Sequence, residues 1–238
     1  FFHMRINIDD DLTDLNEFAS NPTTRRYFST FIHEYIHFLQ EVTSSSGLLA
    51  CLSHVELLRD LISEILNEAR PTFKVPRILT NVHNTEVNSK LRRLYAGEKE
   101  GAALVRYDSY TEERESFNDN EGNQISATKY RVFFYELHSG VRRSIYFGHT
   151  CLKEFVAHSV QKMLIPSIEH GDIPYVIAEQ VAIKECPTLR GNTKLIIALC
   201  DASLMAYHPA QFFFNSLKRL AGRNLPATAE EMYDYLYN

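Results

Sequence analysis

No apolar run in the 238 residues approaches the roughly 20 needed to cross a bilayer. No secretory leader pattern stands at the start; the chain begins Phe1-Phe2-His3-Met4, which reads as a processed or excised polypeptide. The four cysteines, at 51, 151, 186 and 200, show neither a CxxC pairing nor close clustering. That pattern favours buried thiols over a disulfide framework or a cysteine-based zinc site, and a reducing, cytoplasmic compartment. Basic excess is missing as well. The net charge is −5, and the pairs Arg25-Arg26, Arg92-Arg93 and Arg142-Arg143 stand isolated. A phosphate track needs clustered cations, so neither nucleic acid nor a membrane is expected as a partner. There is no internal repeat, low-complexity tract or domain linker. What remains is a chain of 45% hydrophobic and 23% charged residues, read as one domain over 1–238. Residues 167–238 are a candidate C-terminal helical subdomain.

Ile6 and Ile8 alternate like a short strand. Asp9, Asp10 and Asp11 follow without the spacing and glycine of a calcium loop, and read as capping and solvated groups. Asn21-Pro22 looks like an N-cap followed by proline at the first helical position, which starts a helix running to about Thr43. Ser44-Ser45-Ser46-Gly47 breaks it. A second helical pattern, LLACLSHVELLRDLISEILNEA, ends before Pro71. Residues 71–106 are ambiguous apart from a short helix at VNSKLRRLYAGE. The polar, acidic stretch 107–126 reads as a long surface loop, or a flap near a site. KYRVFFYELHSGVRRSIYFG reads as two strands turning at Ser139-Gly140. A helix then runs from Gly148 to Pro166, and further helices are expected near 175–185, 193–206, 209–221 and 228–237. The expected class is α+β, mainly α, with one small antiparallel sheet.

Within the first helix, TFIHEYIHFLQ places His33 and His37 four residues apart, one turn above the other, where both imidazoles can reach one metal ion. Glu34 sits about 100° round the helix from His33. From there a carboxylate can take a proton from metal-activated water without being a ligand itself. Tyr27, Phe28, Phe31, Ile32, Tyr35, Ile36, Phe38, Leu39 and Val42 form one broad face, expected in the core. Ser29, Thr30, His33, Glu34, His37, Gln40, Glu41 and Ser44 form the other, expected to line a cleft. A plain surface helix has the same projection. Random placement of this chain's 10 His and its Glu residues gives an HExxH roughly 0.03 times per chain, so the flanks carry the discrimination. Those flanks, uncharged before and apolar after the second histidine, resemble the extended signature of the HExxH zincin metallopeptidases.

The metzincin continuation is absent, since Gln40 stands in place of its glycine and Thr43 in place of its third histidine. The resemblance is to the gluzincins, the thermolysin-like zincins, which take a glutamate from a later helix as third ligand. On that likeness GHTCLKEFVAHSVQKML offers Glu154. Leu152, Phe155, Val156, Val160, Met163 and Leu164 would form the apolar side of that helix, with Glu154, His158 and Gln161 as a polar stripe. A solvated i,i+4 pair of Glu154 and His158 is the alternative. The aspartate that gluzincins commonly carry four residues after that glutamate, to orient a ligating histidine, is replaced by His158, which leaves the partner of the ligating histidines unnamed. His158 itself would bind metal, substrate or an oxyanion. Glu56, Glu64, Glu179 and Glu185 are rival third ligands. Tyr146, Tyr175 and His208 are candidates for holding an oxyanion, and the hairpin at 129–148 for gripping a peptide along its edge.

The resemblance implies a zincin-like domain with Zn²⁺ on His33, His37 and Glu154, Glu34 as catalytic base, His158 and Tyr175 as further catalytic candidates, and a peptide or protein as substrate. It extends to bacterial proteins of similar HExxH character and supplies no specific target. Two other readings stay open. One is a zincin-like module that binds a partner without hydrolysing it. The other is a di-iron carboxylate site using Glu34-x-x-His37, which needs a second such pair on a four-helix bundle.

Overall fold

The computed structural model describes residues 22–67, 83–98, 104–119 and 121–238, with positions 72 and 101. The strand expected at Ile6 and Ile8, the run Asp9 to Asp11 and the Asn21 cap lie outside the described residues. Helix α1 (Pro22–Thr43) has the expected span, and α2 (Ser45–Asn67) follows at once. The expected four-residue break shrinks to Ser44. Its hydroxyl donates to the Gln40 carbonyl at 2.5 Å, ending α1, and accepts from the Gly47 N–H at 3.0 Å, capping α2. A Cβ on Gly47 would stand 2.4 Å from both the Cα and the carbonyl oxygen of Glu41. The two helices therefore fold back on each other only with glycine there.

Helix α3 (His83–Ala96) leads to a three-stranded antiparallel sheet, β1 (Val105–Asn118), β2 (Gln124–Glu136) and β3 (Arg142–Phe147), in that order. Next come α4 (His149–Leu164), α5 (Asp172–Tyr175), α6 (Ile177–Glu185), α7 (Thr193–Leu204), α8 (Pro209–Leu220) and α9 (Ala229–Tyr237). The class is the expected one, α+β and mainly α. Among the described residues no helix is long and apolar enough to cross a membrane.

The stretch read as a loop over 107–126 is a strand and its turn. Val105 and Tyr107 are buried, but most of β1 is polar. Its acids are matched across the sheet: Glu113 with Arg131 at 2.6 Å, Asp108 with Arg142 at 2.8 Å, and Glu115 with Lys129. Exposed pairs of this kind contribute about 0–1 kcal/mol each, yet they let an edge strand stay polar while its backbone completes the ladder. The partners lie on other strands, so the composition of 107–126 alone does not reveal them. The sheet's outer edges are engaged by other elements. Val105 and Tyr107 N–H groups donate to Asp172 and Gln180 at 2.7 and 2.9 Å, and Tyr146 exchanges hydrogen bonds with Glu98.

The core lies between the sheet, α4, α7 and α8. Phe147 stacks on Phe213 and Tyr130 on Phe214, with centroids 5.3 and 4.6 Å apart. Leu152, Phe155 and Val156 of α4 are buried as expected, whereas Met163 and Leu164, past the core, are about half exposed. Helix α1 departs from its projection. Among the described residues its buried positions are Ser29, His33 and Gln40, all from the polar face, while Tyr35 is 39% exposed. Phe28, Phe31, Tyr35 and Phe38 stack along the helix instead, with successive centroids 6.2, 6.0 and 6.3 Å apart. What turned the helix is its neighbour. The side of α4 that meets α1 is polar too, and hydrogen bonds across that seam choose the buried face.

Candidate metal centre

The seam is a ladder of polar rungs. Gln161 donates to the Ser29 hydroxyl at 2.9 Å, Glu154 meets His33 and His37, and Gln40 donates to the Lys153 carbonyl at 3.3 Å. Beyond it the Lys153 ammonium reaches Glu41 at 2.5 Å. Residues rising along α1 meet residues falling along α4, so the helices run antiparallel. Ser29, Gln40, Lys153 and Gln161 each find a partner on the other helix, as burial of polar groups favours.

At the middle rung three donor atoms converge. His33 Nε2 and His37 Nε2 are 3.0 Å apart, and one Glu154 oxygen stands 3.3 Å from the first and 3.2 Å from the second. Ligands held tetrahedrally at 2.0–2.1 Å from zinc are separated by about 3.3 Å, so this triangle already has the edge lengths of such a site. Among the described residues these three are the one His, Cys, Asp or Glu group able to share an ion. The partner that sequence reasoning could not name is Gln40. Its amide oxygen accepts from His37 Nδ1 at 2.9 Å, which leaves Nε2 with its lone pair toward the other donors. The signal was its position, three residues past His37 on the same face. His33 Nδ1 is buried without a hydrogen bond, and its ring is held instead by an edge contact to His37 at 4.6 Å and by Tyr175 at 6.0 Å.

The electrostatics favour positive charge where the donors meet. Burial pushes the Glu154 carboxyl up, but the hydrogen bonds and charges of His33 and His37 outweigh it and hold the group far below the usual carboxylate range. For His37 burial works downward, and hydrogen bonds to Glu154 and Gln40, with the charges of Glu154 and Glu34, more than reverse it. A proton or a metal ion can supply that charge.

Tyr175, at the end of α5, faces the same space with His158 and His170. Its ring centroid is 5.7 Å from that of His158 and 4.6 Å from that of His170. Burial, then the charges of Glu154 and Glu34, raise its phenol pKa. Glu34 is exposed, and its charge acts on both His37 and Tyr175. His158 is buried, its Nδ1 without a partner, and burial with nearby His170, Lys162 and His33 pushes its pKa down to about 4. It is a neutral imidazole at pH 7. His170, in the turn after α4, was missed because an isolated histidine before a glycine carries no spacing signal.

The remaining sequence candidates lie elsewhere. Glu56 accepts from Asn88 at 3.0 Å, Glu185 accepts from the Tyr107 hydroxyl at 2.7 Å, and Glu64 stands outside the triad on α2. Tyr146 joins Arg131 and Glu113 on the sheet. His208 caps α8 and donates to the Thr128 carbonyl at 2.6 Å. Glu179 borders a hollow next to His158 and Tyr175 without joining the three donors. Among the described residues Glu154 is the one carboxylate that joins His37 in a group able to share an ion, fewer than two irons would demand. No protein-family model, curated protein or solved structure matches the chain. Any functional reading therefore rests on the site itself.

Proposed function

We propose that the chain is a zinc-dependent metallopeptidase, with His33, His37 and Glu154 as metal ligands and Glu34 as general base. One observation carries this reading: two imidazole nitrogens and one carboxylate oxygen at tetrahedral edge lengths, on a helix that also carries a glutamate directly after the first histidine. Two histidines and a glutamate are a donor set of catalytic zinc, which keeps a fourth position open. Zinc held there supplies Lewis acidity, acidifying water and polarising a carbonyl. Glu34 accepts the proton of the attacking water and returns it to the departing amine. Tyr175, kept protonated by burial and neighbouring acids, donates a hydrogen bond to the oxygen where negative charge develops. His158, neutral and with a free ring nitrogen, adds a second polar contact. The departure from the gluzincin pattern at His158 is offset by Gln40, which orients His37 through an amide oxygen.

An extended substrate suits the surroundings. One hollow is lined in part by Tyr175, whose ring centroid is 6.0 Å from that of His33; another, bordered by Arg26, Thr30 and Ile168, is lined in part by His170, 6.2 Å from His33. The test is metal content by mass spectrometry together with hydrolysis of a peptide library. Wild type should hold about one zinc per chain and Glu154→Ala much less. Glu34→Gln should keep zinc and lose turnover by about 10²–10⁴-fold. Zinc in wild type with no hydrolysis, unchanged by Glu34→Gln, would leave the non-catalytic binding module as the reading. No zinc after loading would remove both.

A further inference from the structure

Beside the triad, between α4, α6 and the start of α7, lies the hollow to which His158 and Tyr175 both belong. Phe155, Met163 and Val176 give it apolar walls, and Lys162, Glu179 and Thr193 are among its polar groups. Glu179 is the unusual one. It is half-buried on a turn of α6 whose neighbours Ala178, Val181 and Ala182 are fully buried. Burial raises its carboxyl pKa, and the charge of Lys162 and a hydrogen bond from Thr193 offset that only in part. Among the described residues Glu179 forms no direct ion pair, and the exposed Lys162 acts on it through its charge alone. A carboxylate withdrawn from water without a counter-charge is costly.

We propose that this hollow is the subsite for a lysine or arginine side chain next to the scissile bond, with Glu179 as its counter-charge. The methylenes of such a side chain lie along Phe155, Met163 and Val176, as long cationic side chains do on apolar surface. The ammonium or guanidinium then meets Glu179 in a charge-assisted hydrogen bond. Lys162 works against this by repulsion and sets an upper limit on the preference. That the ligand is a substrate rests on the metallopeptidase reading; that the hollow binds a cation does not.

Binding is measured on the full, zinc-loaded chain with three probes: N-acetyl-lysine amide, N-acetyl-norleucine amide and N-acetyl-glutamate amide. Methyl-labelled methionine reports it by NMR, because Met163 lines the hollow and the chain has only four methionines. The lysine probe should move the Met163 signal and bind about tenfold or more tighter than norleucine, the range of one hydrogen bond to a charged group. Glu179→Gln should abolish the difference, and Lys162→Ala should widen it. Equal or tighter norleucine binding, preference for the glutamate probe, or a lysine preference that survives Glu179→Gln would each overturn the proposal. The wild-type comparison needs no variant to fold. The same proteins are then offered peptides with Lys, Leu or Glu beside the cleaved bond. Lysine binding without any hydrolysis sinks the peptidase reading and leaves the subsite. Hydrolysis without preference for Lys or Arg sinks the subsite and leaves the peptidase.

Discussion

Removing one ligand should uncouple zinc from the stability of the fold. The fully buried side chains of α1 meet α4 through polar rungs, so an ion on His33, His37 and Glu154 adds a tie between two helices at a point where they otherwise meet by hydrogen bonds. A ligand that binds only the folded state stabilises it by RT ln(1 + [L]/Kd), about 4 kcal/mol at a thousandfold excess over Kd. For a chain of this size each kcal/mol moves the midpoint by about 2–4 °C, so zinc should raise Tm by about 8–16 °C. Glu154→Ala removes the carboxylate oxygen that closes the triangle and leaves two imidazoles, and its zinc-induced shift should fall to about 3 °C or less. The assay is scanning calorimetry on chelator-treated protein near pH 7.5, with zinc titrated back. Each protein is compared with itself, because the substitution also removes hydrogen bonds to both imidazoles. Equal shifts in both proteins would refute the argument. So would a wild type whose midpoint ignores zinc.

Gln40→Leu should weaken zinc binding by about 10–100-fold in competition with a chromophoric chelator, because it strands the Nδ1–H of His37. Gln40→Glu, which keeps an acceptor, should restore most of that loss. Gly47→Ala puts a methyl group 2.4 Å from the backbone of Glu41. It should cost about 1–3 kcal/mol in urea unfolding and lower zinc affinity by moving α1; unchanged stability would show the helix joint to be looser than described. His158 gives a pH signature in metal-free protein. Its folded pKa is about 4 against an ordinary 6.5, so below pH 6.5 the unfolded chain takes up a proton that the folded chain refuses until about pH 4. Stability should fall by about 2–3 kcal/mol as pH drops through that window, and His158→Gln should remove much of the slope.

Most helix boundaries were legible because the signals that mark them are local. Pro22, Pro166 and Pro209 act within a turn of where they stand: α1 and α8 begin at them and α4 ends just before Pro166. The HEYIH spacing was legible for the same reason, since i and i+4 share a helix face in any context. Everything that depended on a distant partner was not. Glu154 lies 117 residues beyond His37, and only the antiparallel packing of α4 on α1 separates it from Glu56, Glu64, Glu179 and Glu185. The acidic stretch became β1 because Lys129, Arg131 and Arg142 supply its counter-charges from β2 and β3. The face that α1 buries was decided by the polar stripe of α4, against the helix's own hydrophobic pattern. Short-range sterics and hydrogen bonding wrote the helices and the motif into the chain itself. Burial and charge pairing depend on what arrives from elsewhere in the chain, and only the tertiary structure supplies that.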